Sequence, residues 1–286
     1  MGLVSDVGDS RRGQGHPNRT QVRHNALNQS MHPLSGQTII FLPGMDGTGI
    51  SFEPLGRVLP RDVVVKIIRY PTDKLLSFEE TVQCANDQIQ SDQEDVIVLA
   101  ESFSGPVAIA LVGSGRLKAK CLVLCSTFAR SPRPVLLGIM RYLPVELFLR
   151  LPFPSFILKH MIEGGEEPTD LFLAMWKRVK ALVPAKMLVH RLKIIRRVDV
   201  RQWLFKLTIP CLYIQATSDW SVPASCLFDF TEAIRDLRVR RIRGPHFILQ
   251  ARPQESLTAI QNFLDLITIQ RFGTKKDNAQ RDENEP

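Results

Sequence analysis

The chain has no apolar run of the roughly 18–20 residues a helix needs to span a bilayer, so a soluble protein is expected. Its first residues, MGLVSDVGDSRRGQG, lack an apolar core of the kind a secretory leader carries, which points to a cytoplasmic location. The five cysteines, Cys84, Cys121, Cys125, Cys211 and Cys226, are odd in number and lack CxxC spacing. That excludes a disulfide framework and a zinc site and predicts buried free thiols. Walker-type and dinucleotide-type glycine motifs are missing, so no cofactor and no metal are expected. Few aromatics interleave with the basic residues, which argues against a nucleic-acid partner.

What is present is a 286-residue globular composition, 44% hydrophobic and 23% charged, enough to bury a sizeable core. Residues 1–36 are polar and without sustained periodicity and read as a flexible extension; residues 271–286 read as a flexible tail. Between them short β-branched runs alternate with helical stretches. Strands are predicted over Thr38–Leu42, Val63–Ile68, Val96–Ala100, Lys120–Leu124, Ile209–Gln215 and Arg238–Ile242. Ser77, with Glu80 three residues on, predicts a capping box opening a helix to about Gln90. Strand alternating with helix implies an α/β architecture, a mostly parallel sheet of about six strands flanked by helices. Residues 37–129 and 207–270 form its core. Residues 130–206 hold no clear strand; they are helical, interrupted by prolines, and read as a cap inserted between the fourth and fifth strands.

One stretch organises the rest. Val96–Ala100 runs into Glu101-Ser102-Phe103-Ser104-Gly105, and a helix can open at Pro106. A serine at such a turn can simply cap the helix. It can also be a nucleophile, thrust above the sheet by a strained turn whose neighbours, here Ala100 and Ser104, must be small. A nucleophilic serine needs a base, an acid to orient it and donors for the oxyanion. His246 stands in the turn after the last strand, unlike the histidines of the polar extension or the cap. Asp219 stands in the turn after the fifth strand, where an Asx-turn is the alternative reading. The Gly-rich turn Pro43-Gly44-Met45-Asp46-Gly47 follows the first strand. There the backbone N–H of Met45, with that of Phe103 after the serine, can face a developing oxyanion.

The order Ser, Asp, His, with the Gly-rich loop upstream, resembles the α/β-hydrolase fold of serine hydrolases, specifically esterase- and lipase-like members with a helical cap. The strings FLPGMDGTG, AESFSG, ATSDWSVP and GPHF carry the resemblance, from about Gln37 to Ile267. The elbow departs from GxSxG, since Ala100 and Ser104 replace the glycines. The resemblance implies a carboxylic ester or thioester substrate, with Ser102, His246 and Asp219 catalytic and Met45 and Phe103 giving the oxyanion hole. Acyl transfer to an alcohol through the same three residues, or a catalytically silent binding protein, are the alternatives.

The cap would choose the substrate. Leu136, Leu137, Ile139, Met140, Leu147, Phe148, Phe153, Phe156, Ile157 and Leu158 could line an apolar acyl pocket or pack the cap. From Lys177 to Lys206 ten Lys and Arg face a single Asp199, more than the +8 net charge of the whole chain. That run is a solvated face, or it meets an anionic lipid surface or an anionic substrate group.

Overall fold

The computed structural model describes residues 33–89, 95–140, 142–150 and 170–282. Most of the expected N-terminal extension and part of the cap lie outside them.

Six strands form one sheet in the order β2-β1-β3-β4-β5-β6, every neighbouring pair parallel. They are β1 (Thr38–Leu42), β2 (Val64–Ile67), β3 (Val96–Glu101), β4 (Ala119–Cys125), β5 (Cys211–Ala216) and β6 (Leu237–Ile242). Central strands of a parallel sheet are covered on both faces and must be apolar throughout. Accordingly every residue of β3 and of β5 is buried, whereas the edge strands β2 and β6 keep exposed positions.

The two-residue period sorts the core into two layers. Ile40, Leu42, Val98, Ala100, Leu122, Leu124 and Tyr213 face one side, against α2 (Phe78–Gln88), α3 (Ser104–Gly113) and α9 (Leu227–Ala233). Ile39, Phe41, Ile97, Leu99, Val123 and Ile214 face the other, against α1 (Glu53–Val58) and α11 (Pro253–Asp282). The capping box of α2 is present, Ser77 accepting from the Glu80 N–H and Glu80 from the Ser77 N–H. Such a cap contributes about 1 kcal/mol.

Between β4 and β5 the chain forms α4 (Pro134–Met140), α5 (Val145–Arg150), α6 (Asp170–Leu182), α7 (Ala185–Arg197) and the single turn α8 (Arg201–Leu204). An isolated antiparallel bridge joins Arg130 to Asp199, and the Val200 N–H donates to Ala129 O at 2.8 Å. The helical insertion is thus pinched at its base.

Two boundaries differ from the sequence reading. Leu34, within the stretch read as extension, is completely buried under the sheet. The last helix breaks after α10 (Ile248–Ala251), where Pro253 cannot continue the ladder, and restarts at that proline. It then runs to Asp282 through most of the expected tail, where no further proline stops it. All five cysteines are free, and Cys121, Cys125 and Cys211 are buried. Among the described residues no helix is long and apolar enough to cross a membrane.

Candidate active site

The strand order reverses between β1 and β3, and open α/β sheets hold ligands at the carboxyl ends flanking such a reversal. The loop after β1 carries Met45 and the turn after β3 carries Ser102.

Ser102 has φ +49°, a left-handed conformation that costs a side-chain-bearing residue about 1–3 kcal/mol. Local bonds hold it there. Its N–H donates to Cys125 O at 2.9 Å, and its carbonyl accepts from the Gly105 N–H at 3.0 Å and from Thr127 Oγ1 at 2.5 Å. The tightest packing falls at Gly105, where a Cβ would lie 1.9 Å from Thr127 Oγ1. Ala100 and Ser104, the small positions singled out from sequence, are both buried. Ser104 also has a bonding role: its hydroxyl donates to Pro43 O and accepts from Tyr70 OH at 2.7 Å. The serine that replaces an elbow glycine therefore ties the elbow to the loop after β1.

Ser102 Oγ lies 3.0 Å from His246 Nε2, and His246 Nδ1 lies 2.7 Å from Asp219 Oδ2. A carboxylate oxygen accepts, so Nδ1 carries the proton and Nε2 is left to take the serine hydroxyl. Asp219 divides its two oxygens: Oδ1 accepts the Ser221 and Val222 N–H groups at 2.9 and 2.8 Å. The Asx-turn and the histidine contact coexist on one side chain. The two turns are joined by the Ser218 N–H, which donates to Gly244 O at 2.9 Å. Burial works against a charged His246, but the charge and hydrogen bond of Asp219, with a smaller contribution from Glu101, outweigh it and raise its pKa.

Around Met45 the Gly47 N–H donates to Gly44 O, while the elbow's bonds use the N–H groups of Ser102 and Gly105. None of these uses the N–H of Met45 or of Phe103. The structure therefore brings Ser102, His246 and Asp219 together and sets the Met45 loop and the Phe103 turn beside them.

Above Ser102 is a cavity of about 400 Å³. Leu136, Leu137 and Met140 line it, as the sequence reading allowed. Ile139, Leu147 and Phe148 do not; they are exposed, pointing off the outer face of α4 and α5. Phe153, Phe156, Ile157 and Leu158 lie outside the described residues. The remaining roof comes from α6 and α7 through Phe172, Met175, Trp176, Val179, Leu188, Leu192 and Ile195. These stand at helical spacing, a core signal that could equally have marked any packed helix.

Two buried polar residues near the site were not legible. Glu101, beside Ser102, is buried, and burial pushes its carboxyl up to about 7 despite hydrogen bonds from Gln250 Nε2 at 2.8 Å and Ser51 Oγ at 3.3 Å. Gln250 reaches it from α10, 149 residues away in the chain. Arg191, counted from sequence as part of the basic face, is turned inward and buried. Among the described residues no cluster of three or more His, Cys, Asp or Glu could hold a metal.

No protein-family model matches the chain. Phytyl ester synthase 1, chloroplastic, from Arabidopsis thaliana is 26% identical over 186 residues. That match covers 56% of this chain and 26% of the plant protein, so the chain corresponds to a minor part of its length. Solved structures align far more broadly. A bromoperoxidase from Bacillus anthracis is 18% identical with TM-score 0.64, covering 81% of this chain and 92% of its own. An esterase from Exiguobacterium antarcticum is 15% identical with TM-score 0.66 over the same shares, 81% and 92%. A lipase-esterase related protein from Clostridium acetobutylicum is 15% identical with TM-score 0.66, over 81% and 96%. At such identities these likenesses establish the fold, and the fold is the α/β-hydrolase fold.

Proposed function

We propose that the protein is a serine hydrolase that cleaves a carboxylic ester or thioester with an apolar acyl part. The observation that carries this reading is the line Ser102 Oγ–His246 Nε2 at 3.0 Å and His246 Nδ1–Asp219 Oδ2 at 2.7 Å, at the floor of an apolar cavity. His246 takes the hydroxyl proton as Ser102 Oγ attacks the substrate carbonyl. Asp219 holds the ring in the tautomer this requires and stabilises the imidazolium. The N–H groups of Met45 and Phe103 receive the oxyanion. The imidazolium then protonates the leaving group, and the acyl-serine is released by a water that gives its proton to His246. The acyl chain lies against Leu137, Val179 and Leu192.

Covalent labelling of Ser102 by a fluorophosphonate tests this reading. Wild type is expected to label and Ser102→Ala not to. A wild type that stays unlabelled beside a labelled control hydrolase overturns the reading, and a labelled Ser102→Ala moves the nucleophile elsewhere.

Acyl transfer to an alcohol is a second reading, favoured by the match to a protein named as an ester synthase. The same side chains serve it, with an alcohol replacing water. Product analysis with and without an alcohol acceptor separates the two. Contact of the exposed basic residues of α6 and α7 with anionic lipid is proposed as a route by which substrate is approached, and vesicle binding that is insensitive to salt or to anionic lipid content would remove it.

A further inference from the structure

Of the ten basic residues between Lys177 and Lys206, Arg191 is the buried one, 4% exposed. Its guanidinium spends its donors on backbone. Nη1 donates to Met45 O at 2.9 Å and to Asp46 O at 2.7 Å, and Nη2 donates to Pro71 O at 2.9 Å. Gly47 leaves room for it, since a Cβ there would lie 2.6 Å from Nη1. With Pro43 O taken by Ser104, the loop is held on one side by the elbow and on the other by a helix of the cap.

A buried guanidinium is expensive unless its donors are satisfied, and apolar contacts would seat a helix at lower cost. Helix α7 already has such contacts through Met187, Leu188 and Ile195. What the guanidinium adds is direction, because its rigid fork fixes several carbonyls at once and an ammonium does not. We propose that Arg191 is a positioning residue that ties the Met45 loop to cap helix α7, so that the oxyanion hole is assembled only while the cap is seated. Cap lifting, as substrate enters or product leaves, then dismantles the hole, and closure restores it. This rests on the acyl-serine reading above.

The next residue supplies the control. His190 Nε2 lies 2.7 Å from Leu76 O and anchors the same helix to a different loop. Wild type, Arg191→Lys, Arg191→Met and His190→Ala are titrated to completion with a fluorophosphonate, and kcat and KM for a p-nitrophenyl acyl ester are measured per titrated site. Losing one oxyanion donor costs about 100-fold or more in kcat; Arg191→Met is expected to approach that figure and Arg191→Lys to lose about 10-fold, with KM within about threefold. His190→Ala is expected to keep wild-type kcat. Amide exchange across residues 45–48 should quicken in Arg191→Lys but not in His190→Ala. The proposal is overturned by an Arg191→Met kcat within twofold of wild type, by an equal loss in His190→Ala, or by unchanged exchange at the loop. Arg191→Lys keeps the charge and carries the test where Arg191→Met yields no folded protein. An unlabelled wild type strikes instead at the acyl-serine reading.

Discussion

The floor and the roof of the cavity are built in opposite ways. The floor is made of turns at strand ends, fixed by the register of a parallel sheet in which β3 and β5 are wholly buried. The roof is made of helices divided by prolines, with apolar side chains on both faces: Leu137 and Val179 look into the cavity while Val135, Ile139 and Phe148 look out. A floor of this kind holds reacting groups to a fraction of an ångström, which bond-making needs. A roof of this kind can change shape with few lost contacts, so it suits the choice of substrate and its passage.

If the division is right, damage to the floor removes chemistry whatever the substrate. Ser102→Ala and His246→Ala are expected to lower turnover by about 10⁶-fold, and Asp219→Asn by about 10⁴-fold by favouring the wrong tautomer. All three should retain the wild-type circular dichroism spectrum. Turnover within tenfold of wild type in any one of them would remove that residue from the proposed machinery.

Damage to the roof should instead depend on the substrate. Leu137→Trp fills part of the cavity above Ser102, and a lost methylene-sized space is worth about 10–200-fold in specificity. We expect kcat/KM for a long-chain acyl ester to fall within that range while an acetyl ester is nearly unaffected. An equal fall for both would mean that α4 supports the floor rather than the acyl chain.

Two glycines extend the contrast to stability. At Gly105 a Cβ meets Thr127 Oγ1 at 1.9 Å, so Gly105→Ala overpacks the elbow and should cost about 1–3 kcal/mol or more. At Gly138, inside α4, a Cβ meets nothing within 4 Å, so Gly138→Ala should gain about 0.5–1 kcal/mol from helix propensity. Thermal melts that moved the same way for both would erase the difference between a tight floor and a loose roof.

The same division explains what was legible in the sequence. Ser102, Asp219, His246 and the Met45 loop each sit just after a strand that the sequence predicts, so local pattern and chain order together locate them. Their mutual contact needed only a parallel sheet. The roof depended on which helix faces turn inward, and periodicity gives a face without a partner. Hence Leu136 and Leu137 were found beside Ile139 and Phe148, which face away, and Val179 and Leu192 were not. Arg191 was hidden among nine other basic residues because nothing in a run of charges marks the one whose partners are carbonyls 120–146 residues away. Glu101 was hidden for the same reason: its partner Gln250 is remote in sequence.

Glu101 gives the finest test, because it belongs to the floor without belonging to the reacting line. Two negative side chains act on His246, Asp219 by direct hydrogen bond and Glu101 through space, and both favour the imidazolium. Glu101 in turn is acted on by His246 and by Asp46, and burial leaves it titrating at about 7, in the range where histidine titrates. Each charge state of one therefore favours the opposite charge on the other. The proposed mechanism needs His246 neutral, so the acid limb of kcat/KM should lie above the ordinary value for a free histidine. Glu101→Gln keeps the size of the side chain and its acceptor for Gln250 but removes the charge. Without that charge the imidazolium is less favoured, the base form persists to lower pH, and the acid limb should move down. Because Asp219 still holds the ring, kcat on the plateau should change little. A limb that stays fixed would show that Glu101 is already protonated wherever His246 titrates, and one that moves up would reverse the sign assigned to their interaction.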